Sequence, residues 1–492
     1  MSDERSVRGG SPAPPEPATA VGQELFVPPP GSIPTLEVPD LGPIRSAHLI
    51  GIGGYGMRTL ARMLLARGIR VTGSDLKDRG VAELRAMGAT VHVGHRPEQI
   101  GEPDAVVVSS AVQERNVELA EARRRGLRVL ARAQVLAALA TGHRTLAVSG
   151  THGKTTTTSM LSTILEREGL DPSFVIGGDL NEIGSGAKHG GGDLFVVEVD
   201  ESDGSFLLFR PAVAIVTNIE ADHHAFYEAG RPQIEGAFAR FATQAERLVV
   251  CADDAGATTA LRRSGREAVT YGRSETADVR LSVRSATEGS VRLEDGRTVE
   301  LRLRVPGVHN QLDALAAILA AREVGVPPER ATRALDDFVG VKRRLEHRGS
   351  ARGADLYDDY AHHPTEVVTT LAAAPRAGHE RLLVVFQPHR YTRTRALWRQ
   401  LGESLAGVDL AVVTDVYHAD EDPIPGITGK LVANALAEAA TPGQRVAYLP
   451  HRAEVVRFLT REIRPGDLVL MMGAGDIPMI TDEVLERLEE RA

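Results

Sequence analysis

Cysteine is almost missing: Cys251 is the single one in 492 residues. It can close no disulfide within the chain, which suits a reducing compartment. Long apolar runs are missing too. No stretch of 18 or more apolar residues occurs, so no membrane-spanning helix is expected. The N-terminus lacks the charged, apolar and small-residue succession of a secretory signal. Nor is there an excess of positive charge: 57 Lys and Arg stand against 66 Asp and Glu, a net −9. That balance excludes a generic nucleic-acid binder. The expectation is a cytoplasmic, multidomain protein with no nucleic-acid partner and no membrane insertion, working as a monomer or homodimer.

At roughly 100–200 residues per domain, the length suggests about three domains. Residues 1–43 hold 10 of the 27 prolines and few apolar residues, and read as a disordered tail. From Ile44 strands and helices alternate, the pattern of parallel βαβ units. Strands are expected at His48–Ile50, Arg70–Thr72 and Ala105–Val108, with helices at Met57–Ala66 and Val81–Met87. The rhythm restarts at Thr145, with strands at Thr145–Val148, Leu194–Val199, Val213–Thr217 and Leu248–Cys251. Between Val279 and Leu303 apolar and polar residues alternate around an Asp295-Gly296 turn, which reads as an antiparallel β insertion. A third rhythm follows Gly340, with strands at Leu382–Phe386, Leu410–Thr414, Arg445–Tyr448 and Leu468–Met472. The fold class is therefore α/β with three domains, at 44–142, 143–340 and 341–492. The first and last are Rossmann-like, and the middle one resembles a P-loop ATPase.

Gly51-Ile52-Gly53-Gly54-Tyr55-Gly56 fits G-x-G-x-x-G between a strand and a helix, and Asp75 ends the next strand. Glycines there let a diphosphate approach the backbone, and the helix N-terminus favours its charge. The motif suits NAD or any other nucleotide diphosphate, a UDP-sugar included.

A second phosphate cradle lies at Gly150-Thr151-His152-Gly153-Lys154-Thr155-Thr156. Backbone N–H groups of such a loop hold phosphates, the Lys reaches the β/γ-phosphates and the Thr hydroxyl can ligate Mg²⁺. The full P-loop pattern is incomplete, because Val148 stands where its first Gly would be. A simple oxidoreductase has no need of this second site, whereas a ligase that activates a nucleotide-carried substrate needs both.

Glu198 ends a buried strand beside that loop, where a carboxylate can hold Mg²⁺. His223, after the next strand, is a candidate ligand with it, although Mg²⁺ prefers oxygen. Asp200, Glu201 and Asp203 read mainly as a solvated acidic turn. Arg390 and Arg393 lie three apart, on one face if helical, and Arg suits a carboxylate clamp.

Gly150–Thr157, Glu198–Ser205 and Thr217–His223 together resemble the Mur ligases, ATP-dependent amino-acid ligases of peptidoglycan precursor synthesis. Asp358–Glu366 and Phe386–Thr394 resemble the branch of that family that acts on UDP-N-acetylmuramate and L-alanine. So do Gly51–Met57, Gly73–Asp75, Ser109–Ala111 and Gly473–Ile477. The resemblance runs from about Ile44 to Ile477. It implies that Gly51, Gly53, Gly54, Gly56, Asp75, Ser109 and Ser110 surround the UDP substrate. It also implies an ATP site made by Gly150–Thr156, Asn310, Arg344 and Asp359, with Mg²⁺ on Thr155, Glu198 and His223. Lys154, Glu198 and His223 would be catalytic, and Tyr360, His362, Arg390 and Arg393 would receive the amino acid. Two positions depart from the family: Tyr55 often has a small residue in its place, and Asp313 commonly an Asn. Three other readings stay open: a murein tripeptide-recycling ligase, an NAD-dependent oxidoreductase, and an ATP-dependent regulator.

Overall fold

The computed structural model describes residues 37–490, apart from 79, 110–111, 182–183, 222–225 and 420. Among these residues three sheets succeed one another, each covered by helices. The first has five parallel strands, in spatial order Thr90–Val93, Arg70–Asp75, Ser46–Ile50, Ala105–Val108 and Val129–Ala131. The order reverses beside Ser46–Ile50, so the loop after that strand opens into a crevice. Part of the expected tail is placed: Gln134 Nε2 donates to the Glu37 carbonyl at 2.9 Å, and Leu41 packs on the first core.

The central sheet has ten strands. At its heart Arg247–Cys251, Val213–Val216, Arg144–Ser149 and Leu194–Glu198 lie side by side and parallel. Their near-continuous Val, Leu and Ile content is what a sheet buried on both faces requires. Cys251 closes one of these strands, and burial pushes its thiol up to about 12.

The expected antiparallel insertion is a continuation of this sheet rather than a separate unit. Val279–Val283 pairs parallel with Val269–Gly272, and Glu288–Arg292 and Thr298–Arg302 then add antiparallel. The alternating face explains it. Leu281, Val291, Val299 and Leu301 join the core that holds the helix Val308–Arg322.

The helix Lys154–Arg167 begins on a run of four Thr residues, poor helix formers. Three of the buried hydroxyls there are satisfied by turning back one turn. Thr158, Ser159 and Ser162 donate to the carbonyls of Lys154, Thr155 and Thr158 at 2.8, 2.7 and 2.8 Å. The small residues let the helix pack on Val308–Arg322, whose Ala314, Ala316, Ala317, Ala320 and Ala321 are buried.

The third sheet runs Glu346–Ala351, Ala354–Asp359, Asp467–Met472, Arg381–Phe386, Leu410–Val413 and Arg445–Tyr448. Only its first pair is antiparallel. Among the described residues, no helix is long and apolar enough to cross a membrane.

Candidate functional site

In the first domain, the glycine loop lies where the strand order reverses. The Asp75 carboxylate accepts from Gly53 N at 3.0 Å and from Lys77 N at 3.0 Å. Asp75 therefore braces the loop from below. Ser109 follows the neighbouring strand Ala105–Val108, and Ser110 lies outside the described residues. Tyr55 opens the helix Tyr55–Ala66 and donates its hydroxyl to Asp179 of the central domain at 3.1 Å. Burial, then Asp179, pushes that hydroxyl far above its ordinary pKa. Gly186 sits against the same hydroxyl, and a Cβ there would overlap it. The atypical Tyr55 thus joins the two domains beside the diphosphate cradle. Arg62, on the same helix, reaches Ser185 at 3.1 Å and Asp179 at 3.8 Å.

The phosphate loop leaves the strand Arg144–Ser149 and enters the helix Lys154–Arg167. Gly153 has φ +80°, and a Cβ on it would come within 2.5 Å of Asp313 Oδ1. The loop is held from one side by Asn218, which accepts from His152 N at 2.8 Å and donates to the His152 carbonyl at 3.0 Å. Lys154 Nζ donates to the Gly150 carbonyl at 2.6 Å and pairs with Glu201 at 2.8 Å. Glu201 is 1% exposed, so the acidic turn is not simply solvated as expected. Against burial, Glu201, Asp200 and Glu198 hold Lys154 protonated far above its ordinary range. No spacing in the sequence marks Glu201 as the partner of Lys154.

Thr155 Oγ1 and Glu198 Oε1 lie 3.2 Å apart, and Glu198 Oε2 accepts from Gly177 N at 2.7 Å. Burial raises the pKa of Glu198, and Lys154 opposes it. A hydroxyl and a carboxylate facing one another are hard oxygen donors that fit Mg²⁺. His223 lies outside the described residues.

Asn310 and Arg344 meet Thr156, Val305, Pro306, Phe338, Gly340, Val341 and Leu345 in a narrow cleft between the central and third domains. Its walls are mainly apolar, with Thr156, Asn310 and Arg344 supplying the polar groups. Asp313 is buried, which pushes its carboxyl up to about 7. Asp359 is directed inward: it accepts from Leu345 N, Ala361 N and Thr370 Oγ1 at 2.7, 2.8 and 3.1 Å. In this arrangement Asp359 fixes the backbone next to Arg344.

In the third domain Tyr360 lies between Arg343 and Arg344, with guanidinium carbons 4.7 and 5.2 Å from its ring centre. His362 packs on His389 with ring centres 5.5 Å apart. Burial, then His362, Arg393, Arg390 and Arg343, drives the His389 pKa down to about 2. Arg343, Arg390 and Arg393 thus gather their charge around His389. Arg390 and Arg393 do not share a helical face. Arg390 has φ +71° and precedes the helix Tyr391–Ser404, and it lies 3.8 Å from Glu421. Arg393, in the first turn, lies 3.5 Å from His389 Nδ1.

Glu366, on the helix Pro364–Ala373, ties the sites together. It faces His152 Nδ1 at 3.3 Å, His362 Nδ1 at 3.3 Å and Arg344 at 4.0 Å. Against burial, His362 and His152 hold its carboxyl well below the usual range. On the other side of His152, Glu220 lies 3.3 Å from Nε2. Against burial, Glu220 and Glu366 lift His152 to about 9. Both carboxylates sit inside motifs that are prominent in the sequence, but only the folded chain brings them to one imidazole.

Three family models match the chain. "Mur ligase family, catalytic domain" covers residues 46–144, "Mur ligase middle domain" 148–321, and "Mur ligase, glutamate ligase domain" 343–475. A UDP-N-acetylmuramate–L-alanine ligase of Saccharopolyspora erythraea is 47% identical over 466 residues, covering 91% of this chain and 94% of its own. The crystal structure of UDP-N-acetylmuramate-alanine ligase from Thermotoga maritima superposes with a TM-score of 0.79 at 29% identity, over 91% of this chain and all of that one. A murein peptide ligase from Psychrobacter arcticus gives 0.69 at 25% identity, over 90% of this chain and 98% of its own.

Proposed function

The chain belongs to the Mur ligase family, and from that premise we propose that it joins L-alanine to the lactyl carboxylate of UDP-N-acetylmuramate, with ATP as the driving reagent. The products are UDP-N-acetylmuramoyl-L-alanine, ADP and phosphate, in peptidoglycan precursor synthesis. Family membership sets aside the NAD reading of Gly51–Gly56. The observation that carries the proposal is the presence of two phosphate cradles in domains joined by Tyr55 and Asp179, with Glu366 linking the second cradle, through His152, to His362 of the third domain.

On this reading residues 44–142 take the UDP-sugar, 143–340 the ATP and 341–492 the amino acid. Gly51, Gly53, Gly54 and Gly56 receive the diphosphate, with Asp75 behind them and Ser109 and Ser110 alongside. The lactyl carboxylate attacks the γ-phosphorus in line, and ADP leaves. The resulting acyl phosphate carries a leaving group that the free carboxylate lacks. Lys154 and the loop amides from Gly150 to Thr156 neutralise charge on the transferring group. Thr155 and Glu198, with His223, would hold Mg²⁺, which when bound adds charge neutralisation at the phosphates. Asn310 and Arg344 line the base cleft, with Asp359 behind. Arg390 and Arg393 receive the alanine carboxylate, while Tyr360 and His362 border its amine. The amine, having given up its ammonium proton, attacks the acyl carbon; the C–O bond to phosphate breaks, phosphate departs and the second amine proton passes to phosphate or solvent. The nucleotide substrates belong to the cytoplasm, and so does the protein.

Phosphate release from ATP is the test. It is expected only when UDP-N-acetylmuramate and L-alanine are both supplied, and Lys154→Ala should abolish it with the far-ultraviolet circular dichroism unchanged. Release without amide formation would favour the regulator. Release with murein tripeptide but not L-alanine would favour the tripeptide-recycling activity.

A further inference from the structure

Where the phosphate loop meets the third domain, two histidines and a carboxylate converge. His152 comes from the loop, Glu220 from the segment after the strand Val213–Val216, and His363 from the residue before the helix Pro364–Ala373. Their ligand atoms all lie within 4.8 Å of one another. Glu220 Oε2 is 3.3 Å from His152 Nε2 and 3.5 Å from His363 Nδ1. A tetrahedral ion at metal–nitrogen distances of about 2.0–2.1 Å sets its ligands about 3.3–3.4 Å apart. Two imidazoles and one carboxylate suit a borderline transition metal, whereas Mg²⁺ demands oxygen.

The residues behind the three complete the pattern. A ligating histidine turns its second nitrogen to a carboxylate, and a ligating carboxylate is itself hydrogen-bonded. His152 Nδ1 faces Glu366 Oε1 at 3.3 Å, which orients the ring and leaves Nε2 for ligation. Thr365 Oγ1 lies 3.0 and 2.9 Å from the two Glu220 oxygens and can donate to either. His363 is 7% exposed, and its ring centre lies 5.1 Å from that of His152.

We propose that His152, Glu220 and His363 form a site for Zn²⁺ or a similar transition-metal ion, bridging the central and third domains and distinct from Thr155 and Glu198. Three protein ligands leave the fourth tetrahedral corner to water. The ion ties the helix Pro364–Ala373 to the phosphate loop and holds the two domains in this arrangement.

Co²⁺ is the probe. The full-length protein is titrated with it in excess Mg²⁺, which occupies hard oxygen sites. The expected result is one Co²⁺ per chain with the intense visible bands of four-coordinate Co²⁺, bleached by equimolar Zn²⁺. Glu220→Gln and His363→Asn should each weaken binding by at least about tenfold. Asn is a favourable residue at the start of a helix, so His363→Asn preserves that role. Circular dichroism checks the fold of each variant. If one does not fold the other decides, and if neither does the wild-type stoichiometry and spectrum decide. Absence of the four-coordinate bands in the wild type, or variants that bind as tightly as the wild type, overturns the site.

Discussion

Arg390 stands outside its helix with a positive φ, exposed and 3.8 Å from Glu421. That geometry takes the guanidinium off the helix face while its charge still acts on His389. Arg390→Ala should raise the KM for L-alanine about tenfold or more, in line with losing a charge-assisted contact. The KM for ATP should stay near its wild-type value, and steady-state kinetics with each substrate varied separates the two. Asp313 carries a different prediction. Burial lifts its carboxyl from 3.8 to about 7, so between those values the folded chain holds a proton that the unfolded chain has released. Stability therefore falls as pH rises through that window, by at most roughly 1.4 kcal/mol per unit. Asp313→Asn cannot ionise. Its stability relative to the parent should grow between pH 5 and 7 and level off above, as read from urea midpoints.

At the scale of elements, the helix Lys154–Arg167 and its neighbour Val308–Arg322 approach closely because small residues meet. Ala317 is fully buried in the core the two helices share. Ala317→Leu should overpack it and cost about 1–3 kcal/mol, measured by urea unfolding. Strands such as Ala105–Val108 and Arg445–Tyr448 are legible in the sequence to the residue, because each is a short run bounded by turns. The role of the hairpin at Asp295-Gly296 is not. Its period of two announces an antiparallel pair, but whether that pair stands alone or extends a sheet depends on Leu281 and Leu301 reaching a core assembled from distant sequence. The same holds in the site. Gly150–Thr157 announces itself by spacing. Glu201 does not, since its pairing with Lys154 depends on how the chain turns after Glu198. Arg390 and Arg393 misled in one respect: an even spacing of three implied a shared helical face, and the helix begins between them.

At the scale of the whole molecule, Glu366 is the carboxylate on which cations from two domains converge. Glu366→Ala leaves His152, His362 and Arg344 facing one another across the junction of the central and third domains. Removing one side of this partly buried cluster should cost about 1–3 kcal/mol. The loss should appear as faster amide hydrogen exchange in Pro364–Ala373 and along the phosphate loop, with the first domain unchanged. Any movement of these domains can be followed directly, because of the sulfur chemistry of the chain. Its lone thiol, Cys251, is sealed in the central sheet and stays protonated at any working pH. Maleimide dyes will pass it by. Fluorophore pairs can therefore be placed on engineered surface cysteines, one per domain, without first removing the native residue, and energy transfer between them can report the opening and shutting of single molecules.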